Sequence, residues 1–501
     1  MSGFPWASAV VLIPLMGGIV CGVVPLRRAA IVGLTTAVAT VAATSGLGWR
    51  VWHHGSVSES PGGWGAPLGI DLVVDGMAAL LVLTTAVVGF AISLFSVSYY
   101  APSQTAEEEQ ETHHQGFFWS LWLVVWAALN GVFISSDLFN LYVCLEVISL
   151  SSVALVGLTG TLALRAAMRY LLVTLCGSLL YLIGVALLYG GWGVLDVQML
   201  ASAVDESTAS QVALVAMTLG LALKTALVPL HFWLPAAHAN APAPVSAALS
   251  GLVIKASFIV LLRLWSDVFG ALDKSILAAA LTVLAMTAII WGSVQALRQT
   301  RLKMLIAYST VAQVGYLFVA FAPDITAQTD PVALQGALVF VAAHACAKAA
   351  MFLAAGALAI SFGDDCFSSM NGQHIRLIAP FIIFILAGYS LIGLPYSGGG
   401  EAKYLLSSAV ESAGLPVVGW AMTAGKILAT LYILKVLYYI ALPTPEASES
   451  VELRRITVGM IAAGLLLSVV AVGLGPASAH LLQLLEASIG TALAAPHSAL
   501  R

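Results

Sequence analysis

Residues 223–244 read LKTALVPLHFWLPAAHANAPAP, an apolar run into which one lysine, two histidines and four prolines are set. Proline removes a backbone donor and blocks the helical turn before it, so a helix that carries Lys224 cannot pass unbroken through Pro229 and Pro235. Irregular backbone at membrane depth is tolerated only where protein covers it or water lines it. His231 lies seven residues beyond Lys224, nearly two helical turns if the helix persisted, and would then share its face. Lysine rather than arginine is informative here. A lysine held away from water can release and regain a proton, which arginine cannot do.

The surrounding chain decides that this break lies in a membrane. Of 501 residues 60% are hydrophobic and only 9% are charged, too few polar groups to solvate the surface of a soluble protein of this size, and the pattern is that of an all-α polytopic membrane protein. The net charge of -4 gives no basic face, which sets nucleic acid aside as a partner. Five cysteines are scattered, Cys21, Cys144, Cys176 and Cys346 within apolar segments, and no CxxC pair occurs. Neither a disulfide framework nor a metal or iron-sulfur site is expected.

At roughly 20 apolar residues per span, about fourteen transmembrane helices are expected: 6-26, 29-49, 75-98, 116-134, 138-160, 170-191, 210-232, 243-265, 275-297, 303-322, 331-361, 378-413, 416-440 and 456-475. The apolar run from Trp6 to Leu26 lacks a basic flank before it and reads as a retained first helix, not a signal peptide. The stretch after Pro476 is too short and too rich in small residues to count as a span. Placing the N-terminus outside puts Arg27, Arg28, Arg165, Arg169, Arg298, Arg301, Lys303, Arg376, Arg454 and Arg455 in inner connections. Only Arg50, Lys274 and Arg501 then fall outside. The acidic connection Glu107, Glu108, Glu109, Glu111 falls on the inner side as a solvated loop.

A second interrupted helix is expected at residues 393–403, GLPYSGGGEAK, where Pro395 is followed by three glycines. The two breaks, in the seventh and twelfth helices, lie five helices apart. Interrupted segments at corresponding positions of two halves point to inverted repeats with the transport path at the breaks. The resulting division is 1-98 for helices 1-3, 116-265 for helices 4-8, 275-440 for helices 9-13, and 456-501 for the last helix and tail.

Intramembrane ionisable groups are costly and usually mark an ion or proton path. Glu146 sits mid-helix in LFNLYVCLEVISLSSVALVGL and needs a partner, a proton or water. An ion pair with a lysine is the simplest solution, and a purely structural pair is the competing reading. Lys255 lies eleven residues past Pro244, deep inside helix 8, whereas Arg263, two turns later, is placed to snorkel to the interface. His344 and Lys348, four apart in VAAHACAKAAMFLAAG, share a face. Lys403 is the candidate at the second break. Glu401, two residues before it, does not face it on a helix. His238 is an auxiliary candidate that competes with simple solvation near the inner face. Of Lys426 and Lys435, nine apart and half a turn out of phase, one at most faces the interior, and Lys426 is the candidate. Asp137, just ahead of the Glu146 helix, reads as an N-cap with a place at the outer mouth as the alternative.

NGVFISSDLFNLYVCLE, LVPLHFWLPAAHANAPAPVSAALSGLVIKAS, RLKMLIAYSTVAQVGY and HACAKAAMFLAAGAL, occurring in that order, resemble the antiporter-like proton-translocating family. That family includes large subunits of Mrp-type cation/proton antiporters and membrane-arm subunits of respiratory complex I and membrane-bound hydrogenases. The resemblance spans roughly residues 70 to 440, and DLFNLYV before the glutamate is most similar to the D-type large subunits of Mrp antiporters. It implies fourteen helices with two inverted five-helix repeats. It further implies a glutamate-lysine pair at Glu146 and Lys224, a bridging lysine at Lys255, central residues His344 and Lys348, and a terminal lysine at Lys403. The segment around Lys403 departs from the family pattern, with Tyr396 in place of a second proline and Gly398, Gly399, Gly400 and Glu401 in place of Ser-Gly-Phe. An altered partner or ion at that end would follow.

The expectation is a subunit that relays protons along Glu146, Lys224, His231, Lys255, His344, Lys348 and Lys403, coupled to a monovalent cation such as Na+, among other hydrophobic subunits in a lipid bilayer. No cofactor and no metal are expected. The alternative is the proton-pumping membrane subunit of a complex I-like or hydrogenase-like assembly, with any redox catalysis in partner subunits. A scaffold that keeps the fold without transport is a third reading.

Overall fold

A computed structural model of the protein describes residues 4–101, 117–326, 330–370, 378–441 and 456–485. The acidic run Glu107 to Glu111 and the basic residues Arg376, Arg454, Arg455 and Arg501, used above to orient the chain, lie outside the described residues.

The chain is helical almost throughout because long apolar runs must close their backbone hydrogen bonds internally. In order, the helices are α1 (Trp6–Val23), α2 (Leu26–His54), α3 (Gly76–Tyr99), α4 (Phe118–Ile134), α5 (Leu138–Val156), α6 (Gly160–Trp192), the short α7 (Val197–Ala203) and α8 (Thr208–Thr225). After the first break come α9 (Leu234–Asn240), α10 (Ala243–Val268), α11 (Ser275–Arg298), α12 (Leu302–Phe318) and α13 (Pro331–Phe362). The last are α14 (Ile378–Ile392), α15 (Gly398–Ser412), α16 (Pro416–Ala441), α17 (Val458–Gly473) and α18 (Ser478–Leu485).

Among the described residues, eleven helices are long and apolar enough to cross a membrane, or twelve if α17 and α18, bent by 75°, make one span. Two of the fourteen expected spans are matched by no such helix: one falls on α4, which has only 17 residues, and one on the interrupted pair α14 and α15. A two-stranded antiparallel hairpin, β1 (Val57–Glu59) with β2 (Leu72–Val74), joins α2 to α3. Its Glu59 carboxylate accepts from the Ala7 and Ser8 backbone N–H groups, both at 3.0 Å, and so fastens the hairpin to the start of α1.

Helices α10 and α13 are buried through their central turns, and α12 nearly so, while α1, α6, α11 and α16 keep an apolar face outward. Lys255, His344 and Lys348 therefore sit on inner helices shielded by others. Small residues permit the close packing this needs. A Cβ on Gly220 of α8 would lie 2.4 Å from the carbonyl oxygen of Gly177 on α6, and one on Gly356 of α13 would lie 2.2 Å from the Ala243 Cβ of α10.

Both expected breaks are present. Helix α8 stops at Thr225, Ala226 turns left-handed (φ 63°), and a run of turns leads to α9. Between α14 and α15, Gly393 (φ 89°) and Tyr396 (φ 59°) reverse the chain, and Ser397 caps α15 by accepting from Gly400 N–H at 3.1 Å.

Candidate functional site: a line of buried amines

The line begins where α5 meets the broken end of α8. Lys224, on the last turn of α8, donates to Glu146 Oε1 at 3.2 Å and to Ser149 Oγ at 2.9 Å. Ser149 lies three residues beyond Glu146, on the same helical face. The break itself is stitched by side chains. Trp233 Nε1 donates to the Leu223 carbonyl at 3.2 Å, and its ring stacks on Tyr170 at 4.4 Å. Because the helix stops at Thr225, His231 does not share a face with Lys224. Its ring instead meets Trp291 of α11 edge-on at 4.6 Å, which carries the break toward the second half of the chain.

Lys255 is 1% exposed on α10. One turn earlier the helix widens into a π segment, Leu249–Val253, a local irregularity that often occurs at functional positions. The Ser250 carbonyl of that segment accepts from the Lys255 ammonium. The Ser250 hydroxyl is bonded to that of Thr310 on α12 at 2.8 Å, and Thr225, beside Lys224, is bonded to Ser257 at 2.9 Å. Hydroxyl pairs thus tie α8 to α10 and α10 to α12.

On α13, Lys348 donates to the Ile306 carbonyl at 3.2 Å and to the Ser309 hydroxyl, both on α12. His344, one turn earlier, stacks on Phe340 at 5.4 Å, and neither ring nitrogen has a protein partner among the described residues. It is buried on the same face of α13 as Lys348. Lys403, fully buried on α15, donates to the carbonyls of Leu391 at 2.8 Å and Ile392 at 3.4 Å at the end of α14. Among the described residues, the only ion pair made by these lysines is Lys224 with Glu146.

The three glycines before Lys403 have a packing cause. A Cβ on Gly399 would lie 1.9 Å from the Ser390 carbonyl oxygen, and one on Gly400 would lie 2.2 Å from that of Leu394. The backbone of the second break crosses itself there, and no side chain fits. Glu401 falls in the first turn of α15, where a carboxylate complements the helix dipole, and it forms no ion pair with Lys403.

The auxiliary residues divide. Asp137 is the N-cap of α5, its carboxylate accepting from Asn140 N–H at 2.7 Å, and burial raises its carboxyl above the ordinary value. His238 is not solvated at an inner face. It is fully buried, stacked on Phe352 at 4.8 Å with both ring nitrogens unpartnered among the described residues, and it lies within electrostatic reach of Lys303, Lys348 and Lys255. Lys426 is half-buried on α16 within reach of Lys403, whereas Lys435 points away and donates to the Leu297 carbonyl at 2.7 Å at the end of α11. Arg263 does not snorkel. It is buried, 3.7 Å from the Asp75 carboxylate, because α3 and α4 cover the end of α10.

Sequence reasoning missed the hydroxyls that hold the amines, Ser149 and Ser309, and the Ser250–Thr310 hydroxyl pair beside them. It also placed Lys303 in a connection, whereas it is buried and donates to the Ala241 carbonyl, beside an Arg301–Asp365 pair at 2.8 Å. Polar residues spaced i to i+4 along an otherwise apolar helix, as Ser309 and Gln313 are on α12, were the available signal.

Residues 135–429 match the family described as NADH:quinone oxidoreductase/Mrp antiporter, TM. The chain is 34% identical over 394 residues to the N subunit of NADH-quinone oxidoreductase of Desulforudis audaxviator, covering 77% of this chain and 76% of that one. It is 30% identical over 396 residues to the D subunit of the Na(+)/H(+) antiporter of Alkalihalophilus pseudofirmus, with 78% and 77% covered. A chain in the structure of the Mrp complex from Dietzia sp. DQ12-45-1b superposes with a TM-score of 0.86 at 25% identity, covering 97% of this chain and 98% of that one. With matches running through the helices that carry Glu146, Lys224, Lys255, Lys348 and Lys403, this multi-pass membrane protein belongs to the NADH:quinone oxidoreductase/Mrp antiporter transmembrane family.

Proposed function

We propose that the chain is the proton-translocating subunit of a multisubunit monovalent cation (Na+)/proton antiporter in a bacterial or archaeal cytoplasmic membrane. Protons pass along Glu146, Lys224, Lys255, His344 with Lys348, and Lys403, with His231 beside the first break. The observation that carries this reading is the placement of Lys255, Lys348 and Lys403. Each is buried and bonded to carbonyls or hydroxyls with no carboxylate at hand among the described residues. A structural lysine would bring its counterion, because an unpaired buried charge costs several kcal/mol. An amine that must gain and lose a proton is better served by neutral acceptors, which bind the ammonium without locking it. The Glu146–Lys224 pair is the switchable end, where opening the pair frees Lys224 to pass its proton onward.

The likeness to a quinone oxidoreductase subunit supports a second reading, a pumping subunit of a redox complex whose electron-transfer centres belong to other chains. Isolation of the intact assembly in mild detergent separates the two. Small hydrophobic subunits without redox centres support the antiporter, and flavin- or iron-sulfur-bearing partners support the pump. In everted vesicles carrying the assembly, survival in Lys348→Ala of Na+-driven dissipation of a proton gradient, or for a redox complex of proton uptake driven by its electron donor, would overturn the relay.

A further inference from the structure

Among the described residues, Lys403 is the one amine on the line that lies against an aromatic face. Its Nζ is 4.0 Å from the ring centroid of Tyr316 on α12 and 5.7 Å from that of Phe340 on α13, opposite the two carbonyls of α14. Tyr316 is locked in place. It is fully buried, its hydroxyl donates to the Met422 carbonyl at 2.7 Å, and it fills a slot left by Gly425 on α16, where a Cβ would lie 2.4 Å from the hydroxyl oxygen. The lysine stem has its own slot, since a Cβ on Gly393 would lie 2.7 Å from Lys403 Cδ.

Among the described residues, the ionisable groups of the elements packed against α15 supply no counterion. Helix α13 offers His344 and Lys348, and α16 offers Lys426. Asp324, in the turn after α12, is engaged by the Trp265 indole N–H at 3.0 Å, and Glu401 on α15 itself does not pair with Lys403. An ammonium over an aromatic face is attracted by the ring quadrupole, most strongly where water is excluded.

We propose that Tyr316 is a positioning residue for proton transfer at Lys403, its ring taking the part at the second break that the Glu146 carboxylate takes for Lys224 at the first. The inference rests on the relay reading. Because the ring favours the protonated amine, its loss moves the alkaline limb of the transport pH profile to lower pH by about one unit, a tenfold change in proton affinity.

The test uses the whole assembly in vesicles, with proton transport read across pH for Tyr316→Phe, Tyr316→Leu and Lys403→Ala. Tyr316→Phe keeps the ring and is expected to retain the wild-type profile, and Tyr316→Leu is expected to shift it. Replacing Tyr316 by phenylalanine bearing one, two or three ring fluorines weakens the quadrupole at nearly constant shape, and the shift should grow with each fluorine. That series decides the matter if Tyr316→Leu does not assemble. A profile unmoved along the fluorine series, or a Tyr316→Phe variant as impaired as the fluorinated ones, overturns the proposal. Normal transport by Lys403→Ala overturns the relay itself, whereas loss there with no fluorine trend removes only the role of the ring.

Discussion

Replacing Lys224 by methionine tests the first link of the relay with a cost that can be worked from its surroundings. The pair is short, 3.2 Å, and both side chains are largely hidden, with 5% and 15% of Lys224 and Glu146 exposed. Removing one partner of a buried pair costs about 3–5 kcal/mol, because the other charge is left uncompensated. Glu146 retains some access to solvent, so the expected cost of Lys224→Met lies near the lower end, about 3 kcal/mol. Glu146→Gln should cost less, about 1–2 kcal/mol, since Lys224 keeps its bond to Ser149 at 2.9 Å and gains an amide oxygen. The double variant should recover part of the stability lost in Lys224→Met, because no orphaned charge remains. Transport should not recover. Thermal unfolding of the detergent-purified assembly reads the first quantity, and dye-reported proton-gradient dissipation in everted vesicles reads the second. An assembled Lys224→Met or Glu146→Gln complex that transports at the wild-type rate would refute the relay. A double variant less stable than Lys224→Met would refute the pair energetics.

Three further outcomes are expected. Lys348→Arg keeps a cation beside Ser309 and Ile306 but does not release its proton, so vesicle transport should fall at least tenfold while size-exclusion profiles show an intact assembly; retained transport would mean that Lys348 is only a fixed charge. Gly220→Val drives a branched side chain into the Gly177 carbonyl, 2.4 Å from where its Cβ would sit, and should cost about 1–3 kcal/mol in thermal stability, with Gly220→Ala intermediate. Asp365→Ala removes the acceptor of Arg301 Nε at 2.8 Å and of the Lys303 backbone N–H at 3.3 Å; with the Arg301 side chain 43% exposed the loss should be about 1 kcal/mol, visible as a lower unfolding temperature with transport retained.

The parts of this molecule that were legible in the sequence are those set by solvent. Runs of apolar residues announce spans whatever they pack against, and prolines and glycines announce breaks, so Pro229 and the run Gly398 to Gly400 mark both interruptions without any knowledge of neighbours. Charges in such runs announce themselves too, as Glu146, Lys224, Lys348 and Lys403 did. What could not be read was direction. His231 turned to Trp291 because α8 ends at Thr225, and Arg263 turned inward because α3 presents Asp75. His238 lost its water because Phe352 of α13 covers it. Each of these depends on a helix distant in sequence. The hydroxyls that hold the lysines were equally hidden, since serine and threonine are common in membrane helices and only the location of an amine distinguishes Ser309 from the rest.

The two breaks use the same device to opposite ends. Interrupting a helix leaves carbonyls without intrahelical donors. At the first break the Leu223 carbonyl goes to Trp233, and Lys224 is left to a carboxylate. At the second, the Leu391 and Ile392 carbonyls hold Lys403 directly, with Tyr316 beneath it. Among the described residues, four interior lysines therefore share one carboxylate. Were all four charged together, three ammoniums would stand uncompensated at several kcal/mol each, a sum beyond the stability of an ordinary fold. On the proposed relay, charge would then be carried by few protons at a time, since each ammonium raises the energy of the next through like-charge repulsion in a poorly polarisable interior. In that relay, Glu146 marks one resting place for the proton and the carbonyl and ring cage at Lys403 a second, weaker one, with His344, stacked on Phe340 and bonded to neither end, between them.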